Sequence, residues 1–215
     1  MKIKTKCSIC QTTTIEFIND DILYHQCESC EYIFKSPKYY RDFDTQKERY
    51  NLHQNEEENE GYIAYFERFL NFVLPLTKSP QKALDFGCGV SSLLSKLLLK
   101  NGIECDYYDP IYHPDREYKD KKYDLIVSTE VFEHLHNPNE VFRELLSLLD
   151  NNGYLAIQTE FHPNNLEKFS KWYYHKDPTH IVFLRAKTFE VLASKYGGKV
   201  IDNNNKNMVV IQKCR

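Results

Sequence analysis

Leu84-Asp85-Phe86-Gly87-Cys88-Gly89-Val90-Ser91-Ser92 is the stretch that decides the fold. An apolar run ends in an acidic residue, two glycines follow, and a leucine-rich segment begins directly after them. Residues 82–86 read as a short buried strand, and residues 91–100 carry leucines at 93, 94, 97 and 98 with helical spacing. Gly87 and Gly89 permit positive φ and close approach of the backbone to a ligand. Asn101-Gly102 stops the helix. A strand, a glycine turn and a helix start gather several backbone N–H groups at one point, where a ligand carboxylate or hydroxyl can be held. Asp85 stands just before the turn.

The order of features downstream narrows the reading. Residues 103–108 form a second expected strand ending at Asp109, about twenty residues past the glycines, where an acidic side chain can accept hydrogen bonds from two ribose hydroxyls. A dinucleotide-binding fold offers the same acid. Residues 123–130 form a further expected strand, and the chain continues Val131-Phe-Glu-His-Leu-His-Asn-Pro138. The glycine turn, Asp109 and the phrase Glu130-x-x-Glu133-His134-Leu135-x-x-Pro138, in that order, resemble the class I S-adenosylmethionine-dependent methyltransferases. The phrase is similar to the fourth-strand segment of many small-molecule members, including the ubiquinone-biosynthesis O-methyltransferases. The resemblance covers roughly residues 82–213 and identifies a superfamily, not a substrate.

The resemblance implies an α/β fold with a Rossmann-like sheet and Asp85, Gly87, Cys88, Gly89, Asp109 and Glu130 around the cofactor. Residues 199–202 and 207–213, joined through 203–206, read as the antiparallel edge hairpin typical of that class, where a dinucleotide dehydrogenase would place a sixth parallel strand. One departure concerns the middle of the chain. Only about twelve residues separate Asp109 from the strand at Tyr123, so the usual second crossover helix and third strand are shortened or absent, and no position is assigned to the acidic residue that contacts adenine in the family.

Four of the seven cysteines have regular spacing: Cys7-x-x-Cys10, then sixteen residues, then Cys27-x-x-Cys30. Two such knuckles supply four thiolates, a closed tetrahedral set with no open position, which points to structural zinc. The flanking residues fit a small ribbon, with strands at 12–17, 23–26 and 32–34 and a turn at Asn19-Asp20-Asp21. Cys88, Cys105 and Cys214 lack partner spacing, and Cys88 is expected to line the cofactor site with no nucleophilic role. The arrangement of a cysteine-rich module before a methyltransferase domain is similar both to sugar C-methyltransferases of antibiotic pathways and to a ribosomal-RNA guanine methyltransferase. Residues 1–50 carry eight basic and eight acidic side chains, so the ribbon presents no basic stripe.

At 215 residues, 41% hydrophobic and with a formal net charge of -3, the chain suits one α/β domain plus a small appendage and exerts no overall pull on a polyanion. Nucleic acid is the less favoured partner. No apolar run is long enough to span a bilayer and the start lacks a secretion signal, so a cytoplasmic location is expected. The expected organisation is a zinc ribbon at 1–37, a linker and leading helix at 38–80, and the cofactor-binding domain at 81–215. Tyr62 to Leu74 carries a helical apolar stripe closed by Pro75, which in the resembled superfamily packs over the cofactor. Tyr50-Asn-Leu-His-Gln-Asn55, just before it, resembles a segment of bacterial zinc-ribbon methyltransferases; contact with cofactor or substrate and plain linker are both open for it.

On the acceptor side, His134 and His180 are the candidate catalytic bases, while Glu130 and Glu133 are candidates for fixing a cofactor or substrate group. The long aromatic segment at 160–185 should build the substrate pocket, with Trp172, Tyr173 and Tyr174 as either a lid or the packed face of a short helix. The expected activity is methyl transfer from S-adenosylmethionine to a small-molecule acceptor at oxygen or carbon. The alternatives are an RNA or protein methyltransferase, or a cofactor-binding module without turnover. The acceptor itself and the oligomeric state are not legible in the sequence.

Overall fold

A computed structural model describes residues 5–41, 47 and 60–214. The segment from Tyr50 to Asn55 and most of the expected linker lie outside the described residues.

The amino-terminal strands β1 (Ile15–Asn19), β2 (Ile22–Cys27) and β3 (Tyr32–Lys35) form an antiparallel meander, turning at Asp20 and Asp21, both of which have positive φ. Helix α1 (Glu60–Val73) buries Phe66, Phe69, Leu70 and Val73 on one face, as its spacing required. Strand β4 (Lys82–Phe86) leads through the glycine turn into α2 (Leu93–Lys100), and β5 (Glu104–Tyr108) follows. Strand β6 (Tyr123–Thr129), helix α3 (Pro138–Leu148) and strand β7 (Leu149–Gln158) continue the pattern; Asn137 caps α3 by accepting a hydrogen bond from the Glu140 N–H. A short helix α4 (Leu166–Lys171), a two-residue strand β8 (Val182–Phe183), helix α5 (Ala186–Tyr196) and the hairpin β9 (Gly198–Asn203) and β10 (Met208–Lys213) complete the chain.

The main sheet has the order β5-β4-β6-β7-β10-β9. Its first four strands are parallel, while β10 lies antiparallel to both β7 and β9. This is the expected Rossmann-like arrangement with a terminal antiparallel hairpin. Among the described residues no strand lies outside β5, and the crossover after Asp109 is reduced to a short loop and a single 3-10 turn, Glu117–Asp120. Tyr118 fills the space by packing against Phe86 and Tyr108.

Alternation along the parallel strands separates two cores. Ala83, Leu125, Val127 and Ala156 face α1 and α2, whereas Leu84, Ile126, Leu155 and Ile157 face α3 and α5. One expectation is corrected here. The composition of Asn151-Asn152-Gly153 predicts a turn that ends the preceding helix, with a strand at 154–159 after it, but β7 already begins at Leu149, which pairs with Tyr123. The register shift between Tyr123 and Leu125 absorbs the extra residues as a bulge, with Asn152 at positive φ.

The second core also receives the ribbon. Cys7, Ile9, Cys27, Cys30 and Tyr32 belong to the same buried cluster as Leu184, Phe189 and Leu192. Strand β3 pairs with β8, placing Ile33 opposite Phe183 and Phe34 opposite Val182. The Arg185 Nε donates to Glu31 Oε2 at 2.6 Å, and the Thr188 hydroxyl donates to the Cys30 carbonyl at 2.9 Å. Phe183 is fully covered and lies against Trp172, whose fluorescence therefore reports on this junction. Phe183→Ala should cost about 3–5 kcal/mol. In denaturant titration, Trp172 fluorescence and far-ultraviolet circular dichroism should shift together; separate transitions for ribbon and main sheet would contradict a shared core.

Candidate functional site

The carboxyl end of β4 opens into a cavity of about 400 Å³ lined by α1, the glycine turn, the Asp109 loop and the end of β6. Gly87 and Gly89 have φ of 85° and 66°. A side chain at Gly87 would collide with Val131 Cγ2, whereas the space around Gly89 is open. Gly87 is therefore fixed by both backbone and packing, and Gly89 by backbone alone. Ser92, the residue before α2, is also left-handed, at φ 45°. The first turn of α2 and the glycine loop thus face one opening.

Asp109 is held firmly. Its Oδ1 accepts hydrogen bonds from the N–H groups of Ile111 (2.8 Å) and Tyr112 (3.0 Å), and its Oδ2 accepts from the Gly89 N–H at 3.2 Å. A carboxylate has about four acceptor positions, so capacity remains for ligand hydroxyls. Asp85 differs. It is 1% exposed and neither carboxylate oxygen has a hydrogen-bond partner; the Ser95 main-chain N–H is close enough to favour the anion but falls outside bonding geometry. Burial, reinforced by Asp109, pushes its carboxyl up to about 7. An orphaned carboxylate lining a cavity calls for a cationic or hydrogen-bonding ligand group. Cys88 lines the same wall, and burial pushes its thiol up, which disfavours the thiolate a nucleophile would need.

Glu130, the residue after β6, sits at φ 53°. That left-handed conformation costs on the order of 1 kcal/mol for a non-glycine residue and turns the side chain into the cavity region. Its Oε1 accepts from the Tyr65 hydroxyl at 2.7 Å, tying α1 to the strand end. The Tyr174 hydroxyl lies 2.8 Å from Glu130 Oε2 and 2.6 Å from Glu133 Oε1, and the Thr159 hydroxyl donates to Glu133 Oε2 at 2.8 Å. Burial, then mutual repulsion with Glu133, pushes Glu130 up to about 8; Glu133, fully enclosed, is raised chiefly by burial.

His134 lines the cavity, and its Nδ1 donates to the Thr179 carbonyl at 3.1 Å. His180 is outside the cavity wall, with its Nδ1 donating to the Tyr174 carbonyl at 2.8 Å. The two rings are 4.7 Å apart. Burial, with His134 beside it, pushes His180 down to about 3, so it is a weak proton acceptor. In the aromatic segment Tyr174 holds the carboxylates, Trp172 packs on Phe169 and Phe183, and Tyr173 is exposed. Tyr65, Thr159 and Tyr174 were not expected in these roles. Tyr65 lies on the expected helical stripe, but nothing local to it signals a carboxylate 65 positions away.

The four cysteine sulphurs come together. Cys7 and Cys30 Sγ lie 3.5 Å apart, Cys10 and Cys27 Sγ 3.4 Å, and all four within 4.8 Å of one another. The residues after each knuckle, Gln11 and Glu31, both take positive φ, at 64° and 57°. Cys7 is pulled down to about 5, chiefly by the Cys30 hydrogen bond, while that bond pushes Cys30 up and burial pushes Cys27 up to about 11. One thiolate forms readily and further ones need a cation. The donor set suits a tetrahedral ion, whose ligand sulphurs lie roughly 3.8 Å apart.

Asp85 generates a pH prediction. A carboxyl raised from 3.8 to about 7 binds more protons folded than unfolded, so its contribution to stability is present at low pH and is lost as pH rises through about 7. Asp85→Asn, which carries no titrating charge, should gain on the wild type between about pH 5 and 7, on the order of a few kcal/mol. Denaturant titrations of both ligand-free proteins across that range test this; parallel curves would mean that Asp85 is not desolvated.

With this geometry in place, comparison identifies relatives. The family described as a methyltransferase domain matches residues 54–203. The chain is similar in structure to an O-methyltransferase family protein from Burkholderia thailandensis, with a TM-score of 0.50, 10% identity, and coverage of 79% of this chain and 63% of that one. It is similar to the mitomycin 7-O-methyltransferase, with a TM-score of 0.51, 11% identity, and coverage of 74% and 56%. Magnesium protoporphyrin IX methyltransferase from Synechocystis PCC 6803, solved with bound SAH, gives a TM-score of 0.50 at 14% identity, with coverage of 82% and 97%. At these identities the likeness is one of fold. The chain spans 63% and 56% of the length of the first two. No curated protein sequence matches it.

Proposed function

The chain belongs to the methyltransferase-domain family, and from that premise we propose that it transfers a methyl group from S-adenosylmethionine to a small-molecule acceptor, at oxygen or carbon. The observation that carries this reading is Asp85, a buried carboxylate without partners on the wall of a cavity that also holds the glycine turn and Asp109. The cofactor fits those residues: its ammonium group would satisfy Asp85, and its ribose hydroxyls suit the remaining acceptor capacity of Asp109. Bound there, it supplies a methyl group on a positively charged sulphur.

Because the leaving group is already activated, the residues around the cavity have mainly to orient and to exclude water. Orientation of this kind supplies on the order of 7–11 kcal/mol. Tyr62, Tyr65 and Phe66 close the cavity from α1, and the bond from Tyr65 to Glu130 fixes that closure. An acceptor hydroxyl would lose its proton toward the wall made by Glu130 and His134, with His180 positioning the His134 ring. The balanced charge of the ribbon favours a small molecule over RNA, and among the described residues no helix is long and apolar enough to cross a membrane. A cytoplasmic enzyme with structural zinc on Cys7, Cys10, Cys27 and Cys30 is the corresponding reading of the whole chain.

The test is incubation of the protein with labelled S-adenosylmethionine and separate metabolite, RNA and protein pools. A metabolite gaining about 14 mass units, one methylene, is the expected product; label in RNA or protein alone would overturn the acceptor class. Calorimetry should show binding of S-adenosylmethionine and of its demethylated product, and Asp109→Ala should weaken it roughly tenfold or more, since a charged hydrogen bond contributes about 1.5–3 kcal/mol. Tight binding of a nicotinamide dinucleotide instead would defeat the cofactor assignment.

For the ribbon, elemental analysis should find one tightly held zinc, lost in Cys27→Ser. Zinc binding contributes roughly 10–16 kcal/mol in comparable peptides, and the ribbon shares its core with the main sheet. Loss of the ion should therefore lower the Trp172-detected unfolding midpoint as well. Four freely titrating thiols in protein purified without chelator would remove this assignment.

A further inference from the structure

The carboxyl edge of the main sheet carries a further opening, beside the cavity of the glycine turn. It has a volume of about 480 Å³ and lies where the chain leaving β7 meets α4, the residue before α5 and the turn between β9 and β10. Four cations line it: Lys168 and Lys171 from α4, Arg185 before α5, and Lys206 from the hairpin turn. One acid, Glu160, stands against them.

The positive charges come from segments far apart in sequence and are only partly cancelled. Lys168 and Lys171 are three positions apart on one helix, a spacing that sets like charges side by side. Among the described residues neither Lys168 nor Lys206 has an acidic partner, and the 2.8 Å pairing of Lys171 with Glu167 is a solvent-exposed contact that holds the ammonium weakly. Arg185 is fixed instead. Its Nε donates to Glu31 at 2.6 Å and its Nη1 to the His162 carbonyl, which orients the guanidinium and leaves part of its fork of N–H donors unused. Cations gathered on one concave surface repel one another, and a bound anion relieves that repulsion. Four against one suits a group with more than one negative charge, as in a phosphate ester or diphosphate, better than a single carboxylate.

The groove adjoins the cavity. Trp172 lines the groove, and its ring centroid is 5.1 Å from that of Tyr174, whose hydroxyl is 2.8 Å from Glu130 on the cavity wall. Glu160 is near enough to Glu130 to add to the upward push that burial and Glu133 exert on that carboxyl. The Asn207 Nδ2 donates to Glu160 Oε1 at 3.0 Å and holds the acid at the border of the two openings. Tyr173, 66% exposed, lies against both Trp172 and Tyr174 and offers an aromatic surface beside that border.

We propose that this groove binds the phosphate or diphosphate group of the methyl acceptor, so that the substrate is a small organic phosphate lying along the carboxyl edge of the sheet, its charged end between Lys168, Lys171, Arg185 and Lys206 and its reacting end in the cavity. That the bound molecule is methylated rests on the methyltransferase reading; that the groove takes a phosphate does not. RNA, which also carries phosphates, fits less well, because the cations converge on one opening instead of forming a track, and the ribbon adds no net charge to extend them.

Inorganic pyrophosphate is the probe, and Trp172, the sole tryptophan, is the reporter. Titration of the zinc-loaded full chain at low ionic strength should give a saturable change in fluorescence with a Kd below about 1 mM, and acetate at the same concentrations should give none. Lys168→Ala combined with Lys206→Ala should raise that Kd roughly tenfold or more; both side chains are exposed, and circular dichroism checks that the fold is kept. Lys122→Ala, at the amino end of β6, should leave it unchanged. No saturable change up to about 10 mM, or one indifferent to the double substitution, overturns the site. In the transfer assay, prior treatment of the metabolite pool with phosphatase and phosphodiesterase should abolish the product, and the double substitution should raise the acceptor KM far more than it lowers kcat. Product that survives the treatment overturns the acceptor class, as does label in RNA that the double substitution leaves undiminished. Calorimetry with the demethylated cofactor on the same samples tests the methyltransferase reading separately, so either can fail alone.

Discussion

The pairing of β3 with β8 is the contact on which the arrangement of the site depends. Val182 and Phe183 lie against the third strand of the ribbon, and Ile181 donates its N–H to the Glu133 carbonyl. Three consecutive residues are therefore gripped on one side by the ribbon and on the other by the turn that follows β6. His180 and Tyr174 belong to the segment so anchored. Without the ribbon, that long connection between β7 and α5 would lose its strand pairing at Val182 and Phe183 and keep the bonds of Tyr174, Thr179 and Ile181 to the turn after β6. A four-cysteine cluster that does not line the cavity thus helps to set where a histidine and a tyrosine stand beside it.

Electrostatics at the strand ends follow a single pattern. Asp85, Glu130 and Glu133 are enclosed acids pushed upward by burial, and the hydroxyl groups of Tyr65, Tyr174 and Thr159 meet two of them while Asp85 is left alone. Such an arrangement is unfavourable in isolation, because neutral donors compensate a buried carboxylate only in part. It becomes favourable when positive charge arrives from outside. The protein stores this demand at two separate places, one at the glycine turn and one beyond Glu130.

What the sequence made legible was short in range. Gly87, Gly89 and Asp109 announce a turn and an acid through local spacing, the paired cysteines announce a cluster, and the phrase from Glu130 to Pro138 announces the strand end, its turn and the next helix. The shortened crossover was legible too, as a simple count of residues between Asp109 and Tyr123. The remainder depended on contacts distant in sequence. Tyr65 reaches Glu130, Thr188 reaches Cys30, and His162 reaches the Glu31 carbonyl across 131 positions. No periodicity encodes such meetings. The bulge in β7 escaped for a different reason: Asn151-Asn152-Gly153 has the composition of a loop, and only pairing of Leu149 with Tyr123 turns it into strand.

The shortened crossover also moves the boundary of the sheet. Among the described residues no strand pairs with the outer side of β5, so the strand adjoining β4 has one row of backbone groups without a neighbouring strand, next to the turn on which ligand binding relies. Exposed edges invite pairing with other chains, and proteins commonly blunt them with charge. Here β5 carries Glu104 and Asp106, and Asp106 is locked to Lys121 at 2.9 Å and to the Tyr123 hydroxyl at 2.8 Å. The pair is half-buried, with side chains 35% and 33% exposed, and solvent screening keeps its contribution to stability small. In place of an outermost strand, the described residues give this edge charged side chains, a common device against pairing with another copy of the chain.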